Sequence, residues 1–129
     1  MIHVYVAGPF RSPSPFTVRQ NIINAERVGL WLAEHFRVVP VIPHSMFGNF
    51  NGTIDDRFWL DATRDLLLRC DAAVFIDGWS RSEGCNSELE TCKDVGVHYN
   101  FIHVRDDGSV IFNTAMDLDD FTKFIGQTD

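Results

Sequence analysis

Ile2, Val4 and Val6 alternate with His3 and Tyr5 before Ala7-Gly8-Pro9 breaks the run, which predicts a first strand at about residues 2 to 7. Two prolines and two serines in Phe10-Arg11-Ser12-Pro13-Ser14-Pro15 exclude a helix there, so an exposed loop follows. With Thr17 as N-cap, Val18, Ile22, Ala25, Val28 and Leu32 then recur at helical spacing as far as His35, and Arg19, Asn24, Glu26 and Arg27 fall off that stripe. Arg37-Val38-Val39-Pro40-Val41-Ile42-Pro43 reads as a short strand, with Pro40 marking an irregularity or an edge position. His44 to Gly52, rich in Asn, Gly and aromatics, reads as a loop. Asp55 or Asp56 caps a second helix whose core face is Phe58, Ala62, Leu66 and Leu67, with Trp59 and Leu60 adjoining, ending near Arg69-Cys70.

Ala72-Ala73-Val74-Phe75-Ile76-Asp77 predicts a buried strand at about residues 72 to 77. A Gly/Ser-rich turn leads from it into a helix from about Glu83 to Val95, stopped by Gly96. Asn100 to Val104 is the next strand, Asp106-Asp107-Gly108 a turn, and Ser109 to Phe112 a short strand that a tight turn would make antiparallel to it. Asp117 caps a closing helix at about residues 118 to 126, with Leu118, Phe121, Phe124 and Ile125 as its apolar face. Strands and helices alternate, so the expected architecture is α/β: three layers, doubly wound, on a mostly parallel sheet of four to five strands.

The chain has 129 residues, 45% of them hydrophobic and 22% charged, which fits one domain over residues 1–129. A net charge of −7 with no Lys/Arg cluster argues against a nucleic-acid polymer as partner, because backbone binding rests on neutralising phosphates. Cys70, Cys85 and Cys92 have no paired metal spacing and read as reduced intracellular thiols. His3, His35, His98 and His103 lack metal-ligand spacing as well, so neither a metal nor another cofactor is expected. With no basic leader and no long apolar run, the expectation is a soluble cytoplasmic protein without a membrane partner.

The stretch richest in chemistry is the passage from strand to helix, Gly78-Trp79-Ser80-Arg81-Ser82-Glu83-Gly84-Cys85-Asn86-Ser87-Glu88. In open α/β sheets ligands bind beyond the carboxyl ends of the strands, and the N-termini of the following helices favour anions. Glu88 falls near such a positive end, which lowers the cost of ionising it. No Gly-x-Gly-x-x-Gly turn, Walker-type lysine or Gly-x-Ser-x-Gly elbow occurs, which removes support for dinucleotide oxidoreductases, nucleoside triphosphatases and serine hydrolases.

Val4-Tyr5-Val6-Ala7-Gly8-Pro9, Asn21-Ile22 with Ala25, Val41-Ile42-Pro43-His44-Ser45, Phe58-Trp59-Leu60, and Cys70-Asp71-Ala72 leading to Gly78-Trp79-x-x-Ser82-x-Gly84-x-x-x-Glu88 carry a resemblance. Across about residues 4 to 104 the chain resembles the nucleoside 2-deoxyribosyltransferase-like superfamily, whose characterised cousins include deoxynucleoside 5′-monophosphate N-glycosidases. The resemblance implies a flavodoxin-like sheet and N-glycosidic bond chemistry, in which the glutamate matching Glu88 attacks the anomeric carbon of a 2-deoxyribosyl group and expels the base. The sugar then passes from a covalent glycosyl-enzyme to water (hydrolase) or to another base (transferase), with retention. The tyrosine matching Tyr5 orients that glutamate, and the serine matching Ser82 contacts a 5′-phosphate.

The leaving-group acid of the family comes from the helix before the Cys-Asp strand, which brings in Asp61 and Asp65, four apart on one helix face. Gly8, Gly78 and Gly84 permit close backbone approach, Arg11 can add a cation for phosphate, and His44 and Trp79 can contact sugar or base. Trp59 could also stack on a base, with Phe47 and Phe50 as a lid. Each has a plainer role: Glu88 as a solvated helix residue, Tyr5 packed in its strand, Asp61 and Asp65 on an exposed face, Ser82 as an N-cap, His44 bonded within a loop, and Trp79 as packing. Relatives assemble as dimers or larger, so a homodimer or higher homo-oligomer is expected through an apolar helix face. The expected partner is a small nucleoside or nucleotide, either as substrate or, in the rival reading, as the ligand of a non-catalytic sensor or sequestering module.

Overall fold

In the computed structural model, which describes residues 1–50 and 52–128, five strands form one sheet in the order β2-β1-β3-β4-β5. Strands β1 (His3–Ala7), β2 (Val39–Val41), β3 (Ala72–Ile76) and β4 (His98–Val104) are parallel, and β5 (Val110–Phe112) runs antiparallel to β4. Asn51, inside the loop expected from His44 to Gly52, and Asp129 lie outside the described residues.

Side-chain alternation along the strands sorts the core into two layers. Val4, Val6, Val74, Ile76 and Ile102 face α1 (Pro15–Phe36) and α5 (Ala115–Thr128), which contribute Ala25, Val28, Leu32, Phe121 and Ile125. Tyr5, Ala7, Ala73 and Phe75 face the opposite way, towards α3 (Asp56–Leu68) and α4 (Glu83–Val95), which contribute Leu67, Cys85, Leu89 and Cys92. With helices on both faces, all five residues of β3 are buried. The chain winds from β1 through α1 to β2 on one side and from β3 through α4 to β4 on the other, so its direction reverses between β1 and β3. That reversal is the crevice where doubly wound sheets bind ligands.

Most helix boundaries follow from local chemistry. Ser14, not Thr17, caps α1: its hydroxyl accepts from the Thr17 N–H at 3.3 Å, and Pro15, with no N–H to satisfy, starts the helix. Pro40 is tolerated because β2 is an edge strand, shorter than the 37–43 run. The expected loop after β2 instead forms a short helix α2 (Pro43–Phe47) and a 3-10 turn at Gly48–Phe50, begun by Pro43 at a first-turn position. Asp55, the first of the two expected caps, accepts from the Phe58 N–H at 2.8 Å.

The inward face of α3 keeps Ala62, Leu66 and Leu67 of the expected stripe and adds Trp59 and Thr63, whereas Phe58 and the adjoining Leu60 stay 46% and 47% exposed. β4 begins at His98, two residues before the expected Asn100. Helix α5 begins at Ala115, where the Thr114 hydroxyl accepts from the Asp117 N–H at 3.0 Å. Asp117 is therefore not the cap; its carboxylate accepts from the Phe101 N–H at 3.2 Å, satisfying a β4 donor just beyond the β5 pairing. Leu118 faces outward rather than joining Phe121, Phe124 and Ile125. Among the described residues no helix is long and apolar enough to cross a membrane.

Candidate active site

The pleat of β1 sends Tyr5 towards α3 and α4, where it is 1% exposed. Its phenol donates a hydrogen bond to Glu88 Oε2, joining residues 83 positions apart. Glu88 reaches this point because Gly78, at φ +97°, turns the chain out of β3 through a 3-10 turn at Trp79–Arg81. Ser82 then caps α4, its hydroxyl accepting from the Cys85 N–H at 3.2 Å. Glu88 follows in the second turn.

Burial pushes the Glu88 carboxyl up to about 7 from 4.5, and the Tyr5 hydrogen bond pulls it partly back. The positive end of α4 was expected to ease ionisation, but a helix dipole fades beyond the first turn, and here desolvation outweighs it. Near neutrality the carboxyl is thus about half ionised. Tyr5 moves well above its ordinary value through burial and through the Glu88 charge, so it stays a hydrogen-bond donor. Burial also raises Cys85 and Cys92 to about 12 and Cys70 to about 11, which leaves all three free thiols protonated and unreactive at neutral pH.

The two aspartates expected to supply an acid are not brought to this pair. Asp61 and Asp65 are 67% and 66% exposed at their side chains, paired with Arg57 at 3.6 Å and Arg69 at 3.2 Å along the outer surface of α3. The residue between them faces in: the Thr63 hydroxyl, which donates to the Leu60 carbonyl at 3.1 Å, lies beside the Tyr5 phenol and interacts with it. At about 100° per residue, positions 61 and 65 both lie about 160° around the helix from position 63, so one rotation of α3 decides all three. Thr63 is the site residue that reading the sequence missed. Its signal was a hydroxyl on the face shared by Trp59, Leu66 and Leu67.

The glycines divide by role. One helical turn before Glu88, a Cβ at Gly84 would meet only Leu60 Cδ2 at 3.8 Å and the Ser82 hydroxyl at 3.9 Å, so the missing side chain leaves room beside the carboxyl. At Gly8 the close approach is to Ile76, 3.1 Å from a built Cβ, which makes it a packing contact between the ends of β1 and β3. Gly78 lines a polar cavity of about 190 Å³ together with Asn24, Asp77, Arg81 and His103. Arg11 lines a separate cavity of about 390 Å³ after β1 and is bound to Asp56 Oδ2 at 2.8 Å, so its charge is already partnered.

His44 is buried, with Nε2 3.0 Å from the Pro9 carbonyl. A carbonyl only accepts, so that nitrogen carries the hydrogen, and burial lowers the ring's pKa and keeps it neutral. His44 thus ties α2 to the loop after β1; its Nδ1 and the indole N–H of Trp59 are buried without a hydrogen-bond partner among the described residues. Trp79 packs on Phe101 with ring centroids 5.2 Å apart, and Trp59 packs against Phe47 and Phe50. Among the described residues no group of three or more His, Cys, Asp or Glu side chains is arranged to hold a metal ion.

A solved structure described as a 2-desoxiribosyltransferase from Leishmania mexicana superposes on 98% of both chains with a TM-score of 0.60. This chain has a deoxyribosyltransferase-like fold. Sequence identity to that enzyme is 17%, so the likeness is one of architecture. No family model and no curated protein matches the sequence. Within the deoxyribosyltransferase-like sheet, the Tyr5–Glu88 pair occupies the α3/α4 side of the strands that flank the winding reversal.

Proposed function

We propose that this chain cleaves or transfers the N-glycosidic bond of 2-deoxyribonucleosides or their 5′-monophosphates, with Glu88 as nucleophile. The observation that carries this reading is the sheltered Glu88 carboxyl held by the buried Tyr5 phenol, with an open position at Gly84 one turn away. The fold neighbour, itself described as a deoxyribosyltransferase, points to the same chemistry.

In the first step an ionised Glu88 oxygen attacks C1′ on the face opposite the base. The C1′–N bond breaks, its electron pair leaves with the base nitrogen, and a glycosyl ester forms. Tyr5 keeps one carboxyl oxygen hydrogen-bonded, which fixes the direction of attack and steadies the charge before bond formation. In the second step water or another base attacks C1′ and the ester electrons return to Glu88, so two inversions give net retention. The α4 N-terminus, with Ser82 at its cap and first-turn N–H groups lacking intrahelical acceptors, supplies an anion-favouring end for a 5′-phosphate.

Incubation with a panel of deoxynucleosides and their 5′-monophosphates, followed by chromatography for free base, tests the reading. Release that disappears in Glu88→Ala supports it. Tight binding with no release by the wild-type chain refutes catalysis.

A further inference from the structure

An N-glycosidic bond breaks readily in two circumstances: when a protein acid protonates the departing base, or when the base is stable enough to depart without that proton. Tyr5 gives its one proton to Glu88 Oε2, and burial beside the Glu88 charge moves the phenol well above its ordinary value, so it does not release that proton to a departing base.

Among the described residues, α3, α4 and α2 each present groups unsuited to acid work beside the pair. From α3 comes Thr63, an alcohol that does not release a proton near neutrality, while Asp61 and Asp65 are turned outward and held by Arg57 and Arg69. From α4 come Cys85 and Cys92, thiols pushed up to about 12. Glu83, in the first turn of α4, is exposed and about 140° around the helix from Glu88. From α2, His44 has its only N–H committed to the Pro9 carbonyl and stays neutral.

We infer that the substrates of this site are activated N-glycosides, whose base departs without a proton from the protein because α3 presents Thr63 rather than a carboxylic acid. Two kinds of base meet that condition. An imide-type pyrimidine carries the bond's electron pair away as a delocalised anion and takes its proton from solvent afterwards. A base already cationic on the sugar, such as a pyridinium, leaves neutral. The inference rests on the proposed glycosidic reading and names the substrate class within it.

A leaving-group series tests it with the full chain and no variant that needs to fold. The 2-deoxyribosides of 5-fluorouracil, uracil, thymine, adenine and nicotinamide, as nucleosides and as 5′-monophosphates, are compared by kcat/KM for base release at neutral pH. The expected result is the nicotinamide compound fastest and, for the neutral bases, a fall of about tenfold for each unit by which the departing nitrogen's pKa rises. Glu88→Gln should abolish release throughout. Thr63→Asp should flatten the series and add a falling limb at high pH, the signature of a protein acid, whereas Thr63→Val should leave the slope unchanged. Glu88-dependent release that varies less than about twofold per unit in the wild-type chain overturns the inference while leaving the glycosidic reading standing. If not even the pyridinium compound is cleaved, the glycosidic reading itself falls, and this inference with it.

Discussion

Glu88→Gln probes stability and chemistry together. In the folded chain burial holds the carboxyl at about 7, against 4.5 for the same group in the unfolded chain. Below pH 4.5 both states carry the proton and Glu88 adds no pH-dependent penalty. Between 4.5 and about 7 the unfolded chain releases its proton while the folded chain keeps it, so stability falls as pH rises. Above about 7 the folded chain bears the whole penalty, which at about 1.4 kcal/mol per unit comes to about 3 kcal/mol.

A glutamine keeps the shape and still accepts from the Tyr5 phenol, but it never ionises. The variant should therefore match the wild type near pH 4.5 and exceed it by about 3 kcal/mol at pH 8, a large share of a small domain's stability. Urea unfolding of both proteins at several pH values measures the difference directly, with the other titrating groups, His44 included, cancelling between them. A difference that stays flat from pH 5 to 8 would refute the claim that desolvation governs this carboxyl. In the proposed reaction the same ionisation should appear as a kcat/KM that rises with pH through about 7.

Tyr5→Phe keeps the ring in the core but removes the bond that draws Glu88 down, so the rising limb of the pH–rate profile should move above 7 and the protein should lose about 2 kcal/mol at pH 8, where an ionised carboxylate lacks its donor; an unmoved limb would deny the coupling. The double substitution Asp61→Asn with Asp65→Asn should leave base release intact and stability within about 0.5 kcal/mol in thermal melts, because exposed i,i+4 ion pairs contribute little; a large loss of turnover would put an aspartate back in the reaction. At Gly84, alanine should raise stability by about 0.5 kcal/mol through better helix propensity. Leucine there should fill the space beside Glu88 and raise KM at least about tenfold, some 1.4 kcal/mol of binding, and an unchanged KM would show that substrate does not use that space.

Much of the architecture was written in local patterns. The all-apolar run of β3, the capping serine at 82, the Gly96 stop and the closing antiparallel strand each depend on neighbours within a few positions, and the structure has them all. The edge role of β2 was half legible, since Pro40 admitted either an edge or an irregularity and only the strand order chose. Tyr5 and Glu88 could be nominated from their resemblance to a family, but their bond across 83 positions exists because parallel pairing brings β1 beside β3 and α4 packs over both.

The rotation of α3 belonged to the tertiary structure alone. Periodicity states which residues share a face, so it could say that Asp61 and Asp65 go together and that Thr63 opposes them, but not which side meets the sheet. Ala62, Leu66 and Leu67 of the expected stripe do turn inward, but Phe58 at its head and the adjoining Leu60 stay exposed, because the helix settles where Leu67 fills the core between β1, β3 and α4 with Trp59 and Thr63 on the same side. The protonation of Glu88 was decided the same way. The sequence determined how far it stands from the start of its helix, whereas the packing around it determined how little water reaches it, and desolvation of a carboxylate outweighs a dipole that fades within one turn.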